Sequence, residues 1–285
     1  MSAPAYDPPL TACPLCRSTA IRDFDHDMRG AVIARCDECG VKFMNPQYTD
    51  AYLAELYGGY ADEPTSGPRW ARRRAQKERN LSLIEQYVRP GRFLSVGCGD
   101  GVELRVAKER GWSVEGFDVD PKRTAKAAAA TGATIYAGDL FSLPMPDESF
   151  DCVYLDQVLE HPKRPADYLR FCERVLRPNG VLFLGVPNIE SVSSTFKTAL
   201  GKAGMRRRRR GRHYDSWHHQ FYFAPATLVP LLERRFGFRV LAVHGDPKPS
   251  PHPDVLSRLR EGLSRGMPNL DSSFVVVALK RAQPA

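Results

Sequence analysis

The sequence predicts an α/β fold, a doubly wound, mostly parallel seven-stranded sheet behind a small cysteine-marked N-terminal segment. Three observations predict it. From residue 93 onward, apolar runs of strand length alternate with helical patterns. The first of these runs ends in a glycine-rich turn. Two CxxC pairs mark a turn-rich stretch ahead of them. A length of 285 residues suits about two domains and a large core without disulfides. The expected divisions are a ribbon at 1–48, a helical linker or cap at 49–90, and the α/β domain at 91–285 with an insertion at 189–223.

The elements follow in order. Asp50 is placed to cap a helix that carries Tyr52, Leu53, Leu56 and Tyr57 on one side. A basic helix is expected from about Arg69 to Val88, stopped by Pro90-Gly91. Strands are expected at FLSV (93–96), SVEGFD (113–118), ATIYA (133–137), FDCVYLD (150–156) and GVLFLGV (180–186), with a helix in each of three intervals. Those helices end near Arg110, Thr131 and Leu176. Helices between parallel strands cover both faces of a sheet. A basic stretch follows, then a helix from Pro225 to Phe236 and two late strands, FRVLAV (238–243) and FVVVALK (274–280).

Composition excludes several classes. Apolar residues make up 42% and charged residues 26%, ordinary for a globular protein. The N-terminal MSAPAYDPPL lacks the charged and apolar regions of a signal peptide, and no apolar run approaches the roughly 20 residues of a membrane span. A soluble, cytoplasmic protein is expected. In that setting Cys13-x-x-Cys16, 19 residues, then Cys36-x-x-Cys39 suits tetrahedral zinc with four thiolates, a structural ion with no open position. Cys98, Cys152 and Cys172 sit in apolar segments and read as buried small hydrophobes. The net charge of +8 is concentrated in residues 191–213, where Lys197, Lys202, Arg206 through Arg210 and Arg212 meet no acid. Such a patch suits an anionic partner or a solvated loop.

The turn at 97–101 carries the strongest chemical signal. Gly97, Gly99 and Gly101 in FLSVGCGDG follow a strand and precede a helix, where a doubly wound sheet binds a nucleotide. Val102 stands where a dinucleotide fingerprint needs glycine or alanine, so the spacing is GxGxG. Asp118, at the end of the second strand, is placed for ribose hydroxyls, and Asp139, after the third, for an adenine amino group.

On these residues the chain resembles the class I S-adenosylmethionine-dependent methyltransferases over roughly 80–245. The resemblance rests on VGCGDG (96–101), GFDVD (116–120), AGDL (137–140), FDCVYLDQVLEHPKRP (150–165) and LRPNGVLFLGVPN (176–188). It implies a Rossmann-like methyltransferase fold. Gly97, Cys98, Gly99 and Gly101 would stand at the methionine part of S-adenosylmethionine. Asp118 and Val119 would stand at the ribose, Asp139 and Leu140 at the adenine, and Asp156 and Gln157 beside the methyl group. Ser95 stands where the family usually has an acid. The N-terminal segment is similar to the zinc-ribbon extension of one branch, on CDECGVKFMNP (36–46) and AYLAELYGGY (51–60).

Methylating an alcohol or phenol requires a base near neutral pH, and histidine is the usual choice. His219, then His218, in DSWHHQFYFAP are the first candidates, with His161 in Glu160-His161 next. Related O-methyltransferases bind a divalent metal through E-x-x-E-H; here the first position is Gln157, which argues against a metal of that kind. No Asn/Asp-Pro-Pro-aromatic turn follows the fourth strand, which disfavours base-amino and glutamine-amide acceptors. The zinc-ribbon branch resembles enzymes of polysaccharide and secondary-metabolite pathways, which implies a small hydroxylated acceptor, and a phosphorylated or nucleotide-linked one would suit Arg206, Arg207, Arg208, Arg209 and Arg210. Trp217, Phe221 and Tyr222 would cover it. The alternatives are an RNA methyltransferase and a non-catalytic scaffold that binds a protein. Residues 11–45 of the ribbon balance Arg17, Arg22, Arg29, Arg35 and Lys42 against Asp23, Asp25, Asp27, Asp37 and Glu38, a poor phosphate footprint, so nucleic acid is not the expected partner. Oligomeric state is not legible.

Overall fold

The structure is a computed structural model that describes residues 3–27, 30–58, 64, 66–192, 194–195, 214, 218–247 and 255–282. Arg206 through Arg210 and Trp217 lie outside the described residues. The chain opens with β1 (Ile21–His26), β2 (Val32–Cys36), β3 (Lys42–Met44), α1 (Asp50–Gly58) and α2 (Gly67–Ile84). Next come β4 (Arg92–Val96), α3 (Val102–Glu109), β5 (Ser113–Asp118), α4 (Pro121–Thr131), β6 (Thr134–Ala137), β7 (Phe150–Asp156), α5 (Pro165–Val175) and β8 (Leu176–Pro187). The last elements are β9 (Phe221–Tyr222), α6 (Pro225–Arg235), β10 (Phe238–Gly245), α7 (Val255–Gly266) and β11 (Ser273–Lys280).

The main sheet has the order β10-β11-β8-β7-β4-β5-β6. Strands β4 to β8 pair in parallel, and β11 runs antiparallel between β8 and β10. The order reverses between β4 and β7, so the crevice beyond their carboxyl ends is a topological switch point. Period-two alternation assigns the faces. Cys152 and Tyr154 of β7, with Val181 and Phe183 of β8, pack with α2 and α3. Val153, Leu155, Leu182 and Leu184 pack on the other face with α5, α6 and the N-terminal segment. Local chemistry sets the helix ends: Asp120 caps α4 by accepting from Lys122 N, Pro121 begins it, and Gly132 ends it in the left-handed region.

The seven expected strands are all present. Several bounds and elements differ from expectation. β8 begins four residues early, at Leu176, and α2 ends at Ile84, short of Val88. The helix α7 and a second sheet, β1-β2-β3-β9, were not expected. β1 is largely exposed, so IRDFDH has no apolar alternation to betray it.

The second sheet joins the ribbon to the rest of the molecule. β3 pairs antiparallel with β9, Lys42 opposite Tyr222 and Phe43 opposite Phe221. Phe43 is fully buried and its ring stacks on that of Phe221 at 6.1 Å. Cys13, Leu15 and Val41 share the core on this face of the main sheet. Truncating Phe43 therefore opens a cavity between the two sheets. Phe43→Ala is expected to cost about 3–5 kcal/mol, read as a lower midpoint in urea denaturation.

Candidate active site

The glycine turn is built by the strand–helix junction. Gly97 N and Cys98 N both donate to Phe117 O, at 2.7 and 2.9 Å, which folds the chain back over the end of β5. Gly97 has φ +76°, and a Cβ there would come within 2.5 Å of the Val158 side chain, so only glycine fits. The Asp118 carboxylate accepts from Gly99 N at 2.8 Å and from Asp120 N at 3.0 Å. Arg73 of α2 holds the outside of the turn through two bonds to Asp100, 2.8 and 2.6 Å.

Two adjoining cavities open here, of about 220 and 450 Å³. The smaller is walled by Gly97, Gly99, Asp118, Val119, Arg123, Gln157 and Val158. The larger extends outward between α1 and α5, past Asp50, Phe141, Lys163 and Arg164. Tyr57, Val119, Asp120, His161, Pro162 and Tyr168 line both. Lys163 is held by Asp7 and Asp50, at 2.6 and 2.7 Å.

Not every expected residue reaches the cavities. The Cys98 thiol is buried in the core, and its N–H is spent on Phe117 O. Leu140 is likewise core. Asp139 is exposed and begins a 3-10 turn, accepting from Phe141 N and Ser142 Oγ at 3.2 and 2.6 Å. Phe221 and Tyr222 are buried in β9, in the packing against the ribbon, and line neither cavity. They do not form the expected cover, because strand pairing with β3 turns them into core.

Asp156 sits behind the crevice wall. Its Oδ2 accepts from Lys77 Nζ at 2.7 Å and from Tyr154 OH at 3.1 Å. Lys77 also lies 3.9 Å from Glu103, which takes a 2.8 Å bond from Ser95 Oγ. Burial disfavours the Lys77 cation, but the Asp156 and Glu103 carboxylates outweigh it and hold its pKa above the ordinary value. Burial also raises the Glu103 pKa, against the pull of Lys77 and Ser95. Ser95, lacking the usual acid, thus holds a carboxylate delivered from the first turn of α3. Sequence reading missed Glu103 and Lys77, since neither belongs to a motif; an acid eight residues after a strand serine was the one available signal.

Three histidines converge on Glu160. The His161 ring lies 4.9 Å from those of His218 and His219, which are 5.0 Å from each other. His161 Nε2 and His219 Nε2 are each 3.8 Å from Glu160 Oε1. Glu160 is fully buried, and neither carboxylate oxygen has a hydrogen-bond partner. Its backbone carbonyl accepts from Gln220 N and Phe221 N, at 2.8 and 3.0 Å, and this brings His219 alongside. Desolvation pushes the Glu160 carboxyl up to about 8 and the imidazoles down, to about 3 for His161, 4 for His218 and 2 for His219. The three imidazoles are neutral at pH 7. Of the three, His161 lines both cavities.

The four ribbon cysteines also converge. Cys13 and Cys39 sulfurs are 3.7 Å apart, Cys16 and Cys36 sulfurs 3.5 Å, and all four lie within 4.8 Å of one another. Four sulfurs around one zinc at about 2.3 Å stand about 3.8 Å apart, so the cluster fits the ion.

Residues 94–184 match the model of a family described as a methyltransferase domain. A probable S-adenosylmethionine-dependent methyltransferase of Mycolicibacterium smegmatis is 38% identical over 96 residues, 33% of this chain and 37% of that protein. A ubiquinone biosynthesis O-methyltransferase of Pseudomonas paraeruginosa is 33% identical over 101 residues, 33% of this chain and 44% of that protein. The chain thus spans less than half the length of these relatives. The structure of Burkholderia thailandensis 1,6-didemethyltoxoflavin-N1-methyltransferase, with bound 1,6-didemethyltoxoflavin and S-adenosylhomocysteine, aligns over 88% of this chain and 96% of that one, with a TM-score of 0.55 and 18% identity. Residues 94–184 of this chain thus match a methyltransferase domain, and the sheet order and glycine turn around them form a Rossmann-like methyltransferase fold.

Proposed function

We propose that this enzyme moves the methyl group of S-adenosylmethionine to the oxygen of a small hydroxylated acceptor, such as a sugar, a nucleotide sugar or a secondary metabolite. The observation that carries the reading is the histidine cluster at the junction of the two cavities. The donor is assigned to the smaller cavity and the acceptor to the larger. A sulfonium transfers its methyl group in line, so the enzyme has to align donor and acceptor and free the acceptor oxygen of its proton.

The chain's residues suit both tasks. Asp118 spends two acceptor sites on Gly99 and Asp120 and keeps others for ribose hydroxyls. Behind the wall, two carboxylates face one ammonium, Lys77, a balance that favours the cationic donor. The histidine cluster is read as serving the deprotonation, with His161 as its member that lines both cavities. Lys163 and Arg164 at the outer cavity suit an acceptor that carries an anionic group, as does the arginine run at 206–210. The cysteine cluster is read as a structural zinc site, since four thiolates leave no position open for substrate.

Three measurements test these assignments. Asp118→Ala is expected to weaken S-adenosylhomocysteine binding by about tenfold or more in calorimetry, because the turn and the ribose lose one acceptor together. Unchanged affinity would remove the ribose assignment. In a methyl-transfer screen against phenols and nucleotide sugars, His161→Ala is expected to lower kcat by about a hundredfold with cofactor affinity retained. A variant with full turnover would take the imidazole cluster out of the chemistry. The ribbon is expected to retain about one zinc per chain through mild chelation, and Cys36→Ser to lose it.

A further inference from the structure

The helix between the last two strands carries an apolar stripe on its outside. Leu259, Leu263 and Met267 recur every fourth residue, so they stack along one face of α7 over about 12 Å. Met267 follows the last helical residue but keeps the turn, its N donating to Leu263 O at 3.0 Å. The three side chains are 59%, 57% and 54% exposed. One exposed leucine is ordinary, whereas a row of three large apolar groups marks a contact surface. A Cβ at Gly262 or Gly266 would meet nothing within 4 Å, so the helix is open to close approach at these positions.

The stripe is not the face that seats the helix. Ser264 is fully buried, and a Cβ on Gly245 of β10 would come within 3.1 Å of Ser264 O. His244 Nδ1 donates to Arg265 O at 2.7 Å. The helix also carries Arg258, Arg260 and Arg265 against Glu261, in a chain whose net charge is +8. These charges select among occupants. A second copy of the chain would bring two helices of like sign together, each on a chain of +8. A protein groove is usually anchored by aromatic residues, and the stripe has none. An anionic lipid surface meets both features at once: its headgroups attract the arginines, and its acyl boundary takes the leucines and the methionine.

We propose that α7 is a peripheral membrane-docking helix that lies in the headgroup layer of an anionic bilayer, with Leu259, Leu263 and Met267 in the acyl boundary. Its place in the fold gives the docking a direction. β10 and β8 are both antiparallel to β11, so they run the same way, and Gly245 ends β10 at the carboxyl edge where the crevice opens. Asn188, just past β8, ties the turn after α7 to that edge, its Nδ2 donating to Pro268 O and Asn269 Oδ1 at 3.2 and 3.0 Å. No residue of α7 lines either cavity, so docking leaves the donor site alone and brings the crevice edge to the bilayer. One consequence rests on the methyl-transfer reading, though the docking does not: the acceptor is then a hydroxylated group carried by a lipid.

The experiment is co-sedimentation of the full-length protein with vesicles, either of phosphatidylcholine alone or of equal parts phosphatidylcholine and phosphatidylglycerol. Binding is expected to the anionic vesicles, to weaken as salt is added and to be poor on the neutral ones. Leu259→Ser/Leu263→Ser is expected to lower partitioning onto anionic vesicles about tenfold or more. Its urea midpoint and its calorimetric affinity for S-adenosylhomocysteine are expected to match the wild type, which reports an intact fold. Leu263→Trp is expected to add an emission that brominated acyl chains quench. Partitioning that survives the double serine variant assigns lipid attraction to net charge alone and overturns the proposal, as does a wild type that fails to sediment with anionic vesicles. A dimer in analytical ultracentrifugation that the serine variant converts to monomer gives the stripe to a second copy, which also overturns it. Vesicle binding without methyl transfer to any lipid-borne acceptor sinks the acceptor assignment and leaves the docking standing.

Discussion

One short strip of backbone decides where the histidine cluster sits. Gln220 N and Phe221 N donate to the Glu160 carbonyl, and the residues that follow, Phe221 and Tyr222, pair with β3 of the ribbon. Met44 N closes the junction by donating to Gln220 O at 2.9 Å. Each bond contributes only about 1 kcal/mol net, but leaving any of these buried groups unpaired would cost more. The strip is therefore held in one register, and a one-residue slip would exchange Phe221, which belongs in the core, with its neighbours. His218 and His219 precede the strip immediately, so their approach to His161 is a consequence of that register.

The crevice wall depends on a second constraint, the Lys77 ammonium. It reaches from α2 to Asp156 at the end of β7 and toward Glu103 on α3, and so ties three elements behind the glycine turn. A buried ion pair is weak evidence for stability, because desolvation offsets much of the attraction. Its geometric effect is firmer. Asp156 fills the space above Gly185, where a Cβ would come within 2.3 Å of its carboxylate, and it is thereby kept out of the cavities. Gln157, the next residue, faces the crevice with φ +59°. Neighbouring positions that the sequence treats alike thus take opposite roles, one as a buried support and one as wall.

Legibility in the sequence followed contact range. β4, β7 and the later part of β8 read well because each is a run of buried residues bounded by glycine, proline or a charged turn. Gly97, Gly99 and Asp118 read well because strand, turn and second strand fix their meeting locally. Pairing across long separations did not read. β3 meets β9 about 180 residues later, and nothing in either three-residue or two-residue strand announces the other. The same long-range pairing turned Phe221 and Tyr222 from expected cover into core. Glu103 stayed hidden for a related reason. Its meaning comes from facing Ser95 across the strand–helix junction, and burial of an acid is a property of place.

These constraints meet in the ribbon. Four thiolates around one ion would order the loops from residue 13 to residue 39, and with them the strand β2 that ends at Cys36. β2 pairs with β3, β3 with β9, and β9 follows His218 and His219. A structural ion at the cysteines would therefore act on the histidine site without touching substrate, through a continuous ladder of backbone bonds. This gives the N-terminal segment a mechanical purpose that its neutral charge balance leaves open. It need not bind nucleic acid to matter, because it supplies the edge on which the return of the chain from the basic segment is registered. The described part of the larger cavity points the same way. Its Lys163 is braced by Asp7 from the N-terminal segment and Asp50 from α1, so the ribbon side of the molecule helps set one wall of the cavity that His161 also lines.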